Sequence, residues 1–261
     1  MSDTKNRLNI LWLWPDILSQ HGDRGNVMAL VRICGLYGIG AKVTRVTGLK
    51  DEYNYDGADI VLLGPGELAV MPEISGALAK RAAELRTYSD SGGLLLATGT
   101  TGAAIGVRTR RLDGTYIEGA GLLDMECSER EAVLGDDLIY RCIERAGPEP
   151  AQSSTAELDG LTVYGIQIHM MDVDLAAGQR PFGETVYGYG NNGSGAEGAI
   201  SGNVIFTNAL GPVLVKNPWL TVELINRALG QRIQFDPRLF GLELASAEAI
   251  KLFNEKKEKP K

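Results

Sequence analysis

Histidine and cysteine are scarce in this chain: His21 and His169 are the two histidines, and Cys34, Cys127 and Cys142 the three cysteines, among 261 residues. So small a supply argues against a structural zinc site, because such sites draw four ligands from these residues. The cysteines are scattered and odd in number, which points away from a disulfide framework and toward a reduced, cytoplasmic protein. No segment reaches the roughly 18 uninterrupted apolar residues of a membrane span. The polar start MSDTKNR is not followed by the apolar core of a secretory leader. A long basic stripe is missing as well, and a formal net charge of −7 argues against nucleic acid as the main partner. Without a GxxxxGK segment the chain alone is not expected to be a P-loop ATPase. No internal repeat and no linker interrupts it, so a single domain over residues 1–261 is expected, with a core over about 8–229 and an extension over 230–261.

What the chain does have is 44% hydrophobic residues, enough for a large core, and 33 glycines grouped in short loops. Leu8–Trp14 reads as a buried strand stopped by Pro15. Asp23–Tyr37 carries Val27, Leu30, Val31 and Cys34 at helical spacing, with Asn26 at the capping place and Gly38 after the end. Ala41–Val46, Asp59–Leu63 and Gly93–Ala97 read as further strands, Pro72–Ser89 as a helix with proline in its first turn, and Thr101–Ile105 as a helix start. Strand and helix therefore alternate over the first ~110 residues, the α/β pattern of a parallel sheet covered on both faces. The second half differs. Met125–Cys142 and Leu161–His169 read as strands and loops of a more antiparallel part, Glu184–Gly202 as a glycine- and asparagine-rich loop, Asn203–Thr207 as a strand and Pro218–Leu229 as a helix. Glu255–Lys261 reads as a solvated charged tail.

The most informative turn is LLLATGTTG, residues 94–102. A buried strand that stops at a small residue and enters a helix through glycine has the layout of a nucleophile elbow, with Thr98 at the corner and following N–H groups aimed at an oxyanion. An ordinary strand-to-helix turn capped by threonine accounts for the same letters. Gly64–Pro65–Gly66 ends another strand at the same edge and could donate N–H groups, although Pro65 has none. Gly188-x-Gly190-x-x-Gly193 matches a dinucleotide fingerprint by letter, but no apolar strand precedes it and no helical pattern follows. His169 has no serine or cysteine tied to it and reads as a structural histidine.

Taken in order, LWPDILSQHGDRGNVMAL (13–30), LLGPGE (62–67), GGLLLATGTTGAAIG (92–106), GAGLLDME (119–126), YGIQIHMMD (164–172) and GYGNNGSGAEGAISGNVIFTNALGPVLVKNP (188–218) make the chain similar to a known family. It resembles the GatD-type glutamine amidotransferase subunit of lipid II isoglutaminyl synthase, in the CobB/CobQ-like class I glutamine amidotransferases. The GDRGN and GNNG…EG blocks are the more specific parts, and the resemblance runs over roughly residues 8–229.

The resemblance implies a class I three-layer fold with a central, mostly parallel sheet flanked by helices. It also implies a Mur-ligase-like (MurT-type) partner subunit, glutamine as ligand, no cofactor and no metal. The implied task is amidation of the stem-peptide glutamate of a cell-wall precursor with ammonia released from glutamine. In the family a cysteine in a CGGYQ elbow attacks the carboxamide, and Thr98 occupies the corresponding place here. The family's base is the histidine of a GTYLHGP segment, and Leu210 stands there. His169 matches a different family histidine, in a GYEIHMG segment. Gly64, Gly66 and Gly99 fall where the oxyanion and substrate pocket would be, beside Pro65 and the apolar Leu68 and Met71. A threonine hydroxyl needs a strong base and leucine accepts no proton, so a glutaminase-inactive subunit is expected. The alternatives are an active amidotransferase with an atypical nucleophile, a corrin-pathway amidotransferase resembling cobyric acid synthase, and a glutamine-binding sensor.

Overall fold

The computed structural model describes residues 6–143 and 162–257. In β1 (Arg7–Leu13) the side chains alternate between two cores: Leu8, Ile10 and Trp12 face one, Leu11 and Leu13 the other. The same division recurs in β3 (Ile60–Leu63), where Ile60 and Leu62 oppose Val61 and Leu63. It recurs again in β4 (Leu94–Thr98), where Leu94 and Leu96 oppose Leu95 and Ala97. A strand apolar at every position has to be covered on both sides, and at about 1.5–3 kcal/mol per buried leucine or isoleucine that burial decides the architecture.

The cover comes from helices. On one face α1 (Arg24–Leu36) brings Val27, Leu30, Ile33 and Cys34. On the other, α2 (Met71–Ala79) brings Ile74 and Leu78, α3 (Ala82–Asp90) Leu85, and the short α4 (Gly102–Ile105) Ala103 to Ile105. β2 (Gly40–Val46) pairs in parallel with β1 and completes this half.

The rest of the chain adds β5 (Arg108–Arg110), β6 (Tyr116–Glu118), the long pair β7 (Met125–Cys142) and β8 (Thr162–Leu175), then β9 (Gly183–Tyr187), β10 (Ala196–Glu197), β11 (Ala199–Ser201) and β12 (Val204–Thr207). Three helices follow: α5 (Val213–Lys216), α6 (Pro218–Leu229) and α7 (Gly241–Lys257). The first sheet has the order β11-β12-β4-β3-β1-β2 and is parallel except for the β11 edge. The second runs β10-β9-β7-β5-β6 with β8 antiparallel on β7, and its register shifts between Glu129 and Leu134. This is the α/β arrangement of a sheet between helical layers, joined to a largely antiparallel part. No helix among the described residues is long and apolar enough to cross a membrane.

Several expectations change. The helix expected over 72–89 is two, because Arg81 leaves helical geometry, stacks over the rings of Tyr53 and Tyr55 at 4.0 and 4.8 Å and pairs with Glu84. Asp23, not Asn26, stands at the N-cap of α1; Asn26 lies inside the helix and is buried. The loop expected over 184–202 contains most of β9 and all of β10 and β11. These are two- to five-residue strands: β9 pairs with distant β7, β10 with β9, and β11 with the next strand, β12. Of the expected solvated tail, residues 255–257 continue α7, and residues 258–261 lie outside the described residues. Leu161 also lies outside them, and β8 runs on past His169 to Leu175.

Candidate active site

Strands β3, β4 and β12 are neighbours and run in the same direction, so the segments that leave their carboxyl ends lie side by side. These segments are Gly64–Gly66, Gly99–Thr101 and Asn208–Leu210. They lie up to 146 positions apart in the chain, counting from 64 to 210. Strand order alone unites them at the edge where parallel α/β sheets place their ligands.

Thr98 ends β4 with an extended backbone, φ −130° and ψ 140°, and is buried. Its Oγ1 donates to Asp23 Oδ1 at 3.3 Å. The left-handed residue of the turn is Gly99, with φ +60°. The corner therefore lies one residue beyond the position expected from the letters. A β-carbon at Gly99 would stand 3.0 Å from Leu210 Cδ2 and 3.1 Å from Pro65 Cβ. Leu210 is 4% exposed and is held by a bridge to Ile166: Leu210 N donates to Ile166 O at 2.7 Å, and Ile166 N donates back to Leu210 O at 3.3 Å.

Of the possible oxyanion donors in the Gly64–Gly66 turn, one is missing and one is engaged. Pro65 has no N–H, and Gly66 N donates to Thr100 Oγ1 at 3.0 Å while that hydroxyl donates to Gly66 O at 2.6 Å. Thr101 Oγ1 donates to Thr98 O at 2.8 Å. Gly64 is a place where a side chain has no room, since a β-carbon would come within 2.1 Å of Asp23 Oδ2 and 2.8 Å of Leu18 O. The loop before α1 covers this turn, with Gln20 N donating to Pro65 O at 3.1 Å.

Asp23 was not foreseen as part of this place. Burial raises its pKa to about 6, against the lowering influence of hydrogen bonds from Asn26 Nδ2 (2.8 Å) and Thr98. Asn26 Oδ1 in turn accepts from Leu214 N at 2.8 Å, which ties α1 to the segment after Leu210. The GDRGN block was the available signal: an acid between glycines, just ahead of an apolar helix.

A second unforeseen group holds the residues leading to Leu210. Glu197 Oε1 accepts from Thr207 Oγ1 (2.7 Å) and Asn208 N (2.8 Å), and its Oε2 from Asn208 Nδ2 (3.0 Å). Burial raises the Glu197 pKa, and these donors oppose the rise. Asn191 Oδ1 accepts from Gly198 N at 2.7 Å and Asn208 Nδ2 at 2.8 Å. His169 joins here and not at the corner: Nε2 meets Asn191 O at 3.0 Å, the ring stacks edge-on against Tyr189, and burial lowers its pKa. The dinucleotide-like letters bind no phosphate by their first N–H groups, because Tyr189 N and Gly190 N both donate to Gln167 Oε1 at 3.0 and 3.1 Å. Cys34, Cys127 and Cys142 are buried free thiols whose pKa values burial raises. Among the described residues no three His, Cys, Asp or Glu side chains converge as a metal would require.

At the corner itself, then, stand a residue without a side chain, an apolar side chain facing it, and a proline. None of the three can attack a carbonyl or accept a proton. No family model matches the chain. It is 26% identical over 258 residues to the lipid II isoglutaminyl synthase (glutamine-hydrolyzing) subunit GatD of Streptococcus pneumoniae (strain ATCC BAA-255 / R6), covering 97% of this chain and 93% of that one. It is 26% identical over 243 residues to the subunit of the same name from Staphylococcus aureus (strain N315), covering 89% of each. A crystal structure of a glutamine amidotransferase matches with a TM-score of 0.52 at 15% identity, covering 84% of this chain and 98% of the other. The chain is thus similar to GatD-type subunits along nearly its whole length and has the fold of the class I glutamine amidotransferases.

Proposed function

We propose that this chain is the amidotransferase-family subunit of a synthase that amidates lipid II, that it acts with a Mur-ligase-like subunit in the cytoplasm, and that it does not hydrolyse glutamine. The full-length similarity to subunits of that name supports the first part. The observation that carries the last part is the corner: Gly99 has no side chain, and the group apposed to it is Leu210. Double displacement at an amide needs a nucleophile and a base within hydrogen-bond reach of it. In this reading the subunit keeps its surface for the ligase while ammonia comes from another source. The buried, unpaired cysteines agree with a reducing compartment.

The test is glutamate release from glutamine by the purified chain, with and without the Mur-ligase-like subunit, alongside amidation of lipid II supplied with an ammonium salt. Expected are no glutamate above the buffer rate and ammonium-dependent amidation. Thr98 supports one rival. Its hydroxyl donates to a carboxylate whose pKa is about 6, a base poised near neutrality. Glutamate release abolished by Thr98→Ala would establish that rival and end the inactive reading.

A further inference from the structure

The edges of the two sheets are of different kinds. β6, β10 and β11 are two or three residues long, and Ile200 of β11 is further bridged to Arg180. The outer side of β8 is taken up by other segments, since Ile166 N donates to Leu210 O and Val173 N to Asn191 O. β2 differs: it has seven residues, no proline and an unbroken register with β1. Gly40 N donates to Asn6 O, and Val46 O accepts from Trp14 N, so the even-numbered residues of β2 turn their peptide groups to β1. The peptide groups of Ala41, Val43 and Arg45 therefore point away from the sheet, and none of the described residues bonds them there. A long edge without a bulge or cover is a template for another strand. Arg45, which could guard it with free charge, is drawn inward: it pairs with Asp16 at 2.7 Å and lies over the Trp12 ring at 5.5 Å. Val43 lies exposed at the centre of the strand.

We propose that β2 is a self-association edge, along which two copies of this chain pair antiparallel about a two-fold axis at Val43. The register follows from parity. That centre alone sets every outward-pointing residue against another: Val43 on Val43, Ala41 on Arg45 and Arg45 on Ala41, each pair exchanging two backbone hydrogen bonds. The contact uses the same patch on both copies and closes at the dimer. The side chains agree with it. On one face the two Val43 side chains meet, and each Arg45 stands opposite the small Ala41. On the other, Lys42 stands opposite Thr44, so no like charges are directly across from each other. An open depression beside Lys42 and Thr44 is bordered by Asp51, Glu52 and Asp56 as well. The Lys42 ammonium of the second copy comes to this acidic rim, a charge complementarity that favours a second copy over an unrelated strand. β1 separates β2 from β3, β4 and β12, so the pairing leaves the corner at Gly99 open and does not depend on the proposed function.

Sedimentation velocity of the full chain over a range of concentrations tests the pairing. Expected is a concentration-dependent equilibrium between monomer and dimer. Val43→Pro removes the central outward N–H, which no bond inside the sheet uses, so this variant should keep its fold by thermal melt and circular dichroism and remain monomeric. Two further variants read the register. Thr44→Glu sets a carboxylate opposite Lys42 of the second copy, twice per dimer, and should tighten the dimer roughly 2- to 30-fold, whereas Thr44→Lys sets like charges there and should loosen it by a similar factor. The inference is overturned if the chain stays monomeric up to its highest soluble concentration, if Val43→Pro folds and still dimerises, or if both Thr44 variants shift the dimer alike. If Val43→Pro does not fold, the opposed shifts of the two Thr44 variants decide the matter. The Mur-ligase-like subunit added to the same samples tests the other occupant. A chain that is monomeric alone and loses that subunit with Val43→Pro would assign the edge to the ligase and overturn self-pairing.

Discussion

Two regions a few residues apart treat polar chemistry in opposite ways. Around Glu197, a fully buried carboxyl gathers Thr207 and Asn208, and Asn191 links Asn208 to Gly198. Around Gly99, the groups that meet are a glycine, a leucine and a proline, while the nearby threonines turn their hydroxyls onto backbone or onto Asp23. The first region is rich in chemistry-bearing side chains and does positioning. The second brings together side chains that carry no titratable or nucleophilic group. Buried polar groups tolerate change poorly, because each lost partner strands another. An apolar contact strands nothing when its neighbours change. The contact at Gly99 is therefore the more tolerant of the two to substitution, provided the polar network behind it stays complete.

The strongest way to break this comparison is Glu197→Ala. It leaves Asn208 N–H and the Thr207 hydroxyl without their shared acceptor in the core. A loss of about 3–5 kcal/mol in urea unfolding is expected, in the range seen when one partner of a buried charged group is removed. A loss below about 1 kcal/mol would show that the network is not what holds the segment before Leu210.

Asp23→Asn probes the border between the regions and should change stability in the other direction. The folded chain holds the Asp23 proton more tightly than the unfolded chain does, with a pKa of about 6 against 3.8. Its contribution is fully present below about pH 4 and is lost as pH rises through 6, when the buried group must ionise. Asparagine keeps an oxygen for Asn26 and Thr98 without that charge. The variant should exceed the unsubstituted chain by about 2–3 kcal/mol at about pH 8, with the gap closing by about pH 4. Urea midpoints across that range check it, and a gap that does not move with pH would count against the assignment.

The smallest effect belongs to Thr100→Ala, which releases Gly66 N–H from the Thr100 hydroxyl. About 1–2 kcal/mol should be lost, and exchange of the Gly66 amide proton should quicken. An unchanged amide would mean that the donor was not engaged by Thr100 in solution, and would bring the corner closer to a working oxyanion site.

Part of this was legible beforehand. Pro218–Leu229 reads as a helix and is one over the same residues, closed by Gly230 at φ +62°, because its proline start, apolar face and glycine stop all act locally. The parallel half was legible for a similar reason: strands buried on both faces are continuous apolar runs. β5, β6, β9, β10 and β11 were not, since strands of two to five residues are too short to show an apolar period. At the corner, Gly99 meets Leu210 and Pro65, and Gly66 pairs with Thr100, through strand order; the GDRGN block was the one local sign of Asp23, and Glu197 gave none of its neighbours.

By itself the sequence determined the layered α/β half, the resemblance to GatD-type subunits and the want of a cysteine and a histidine at the expected segments, because apolar periodicity and residue identity are local properties. Only the tertiary structure decided that the corner is Gly99, that Leu210 faces it, that Thr100 occupies the Gly66 donor and that His169 belongs to another cluster. Backbone handedness within a Thr-Gly-Thr run, and contact between residues 111 apart, come from strand order and packing, which no single segment encodes.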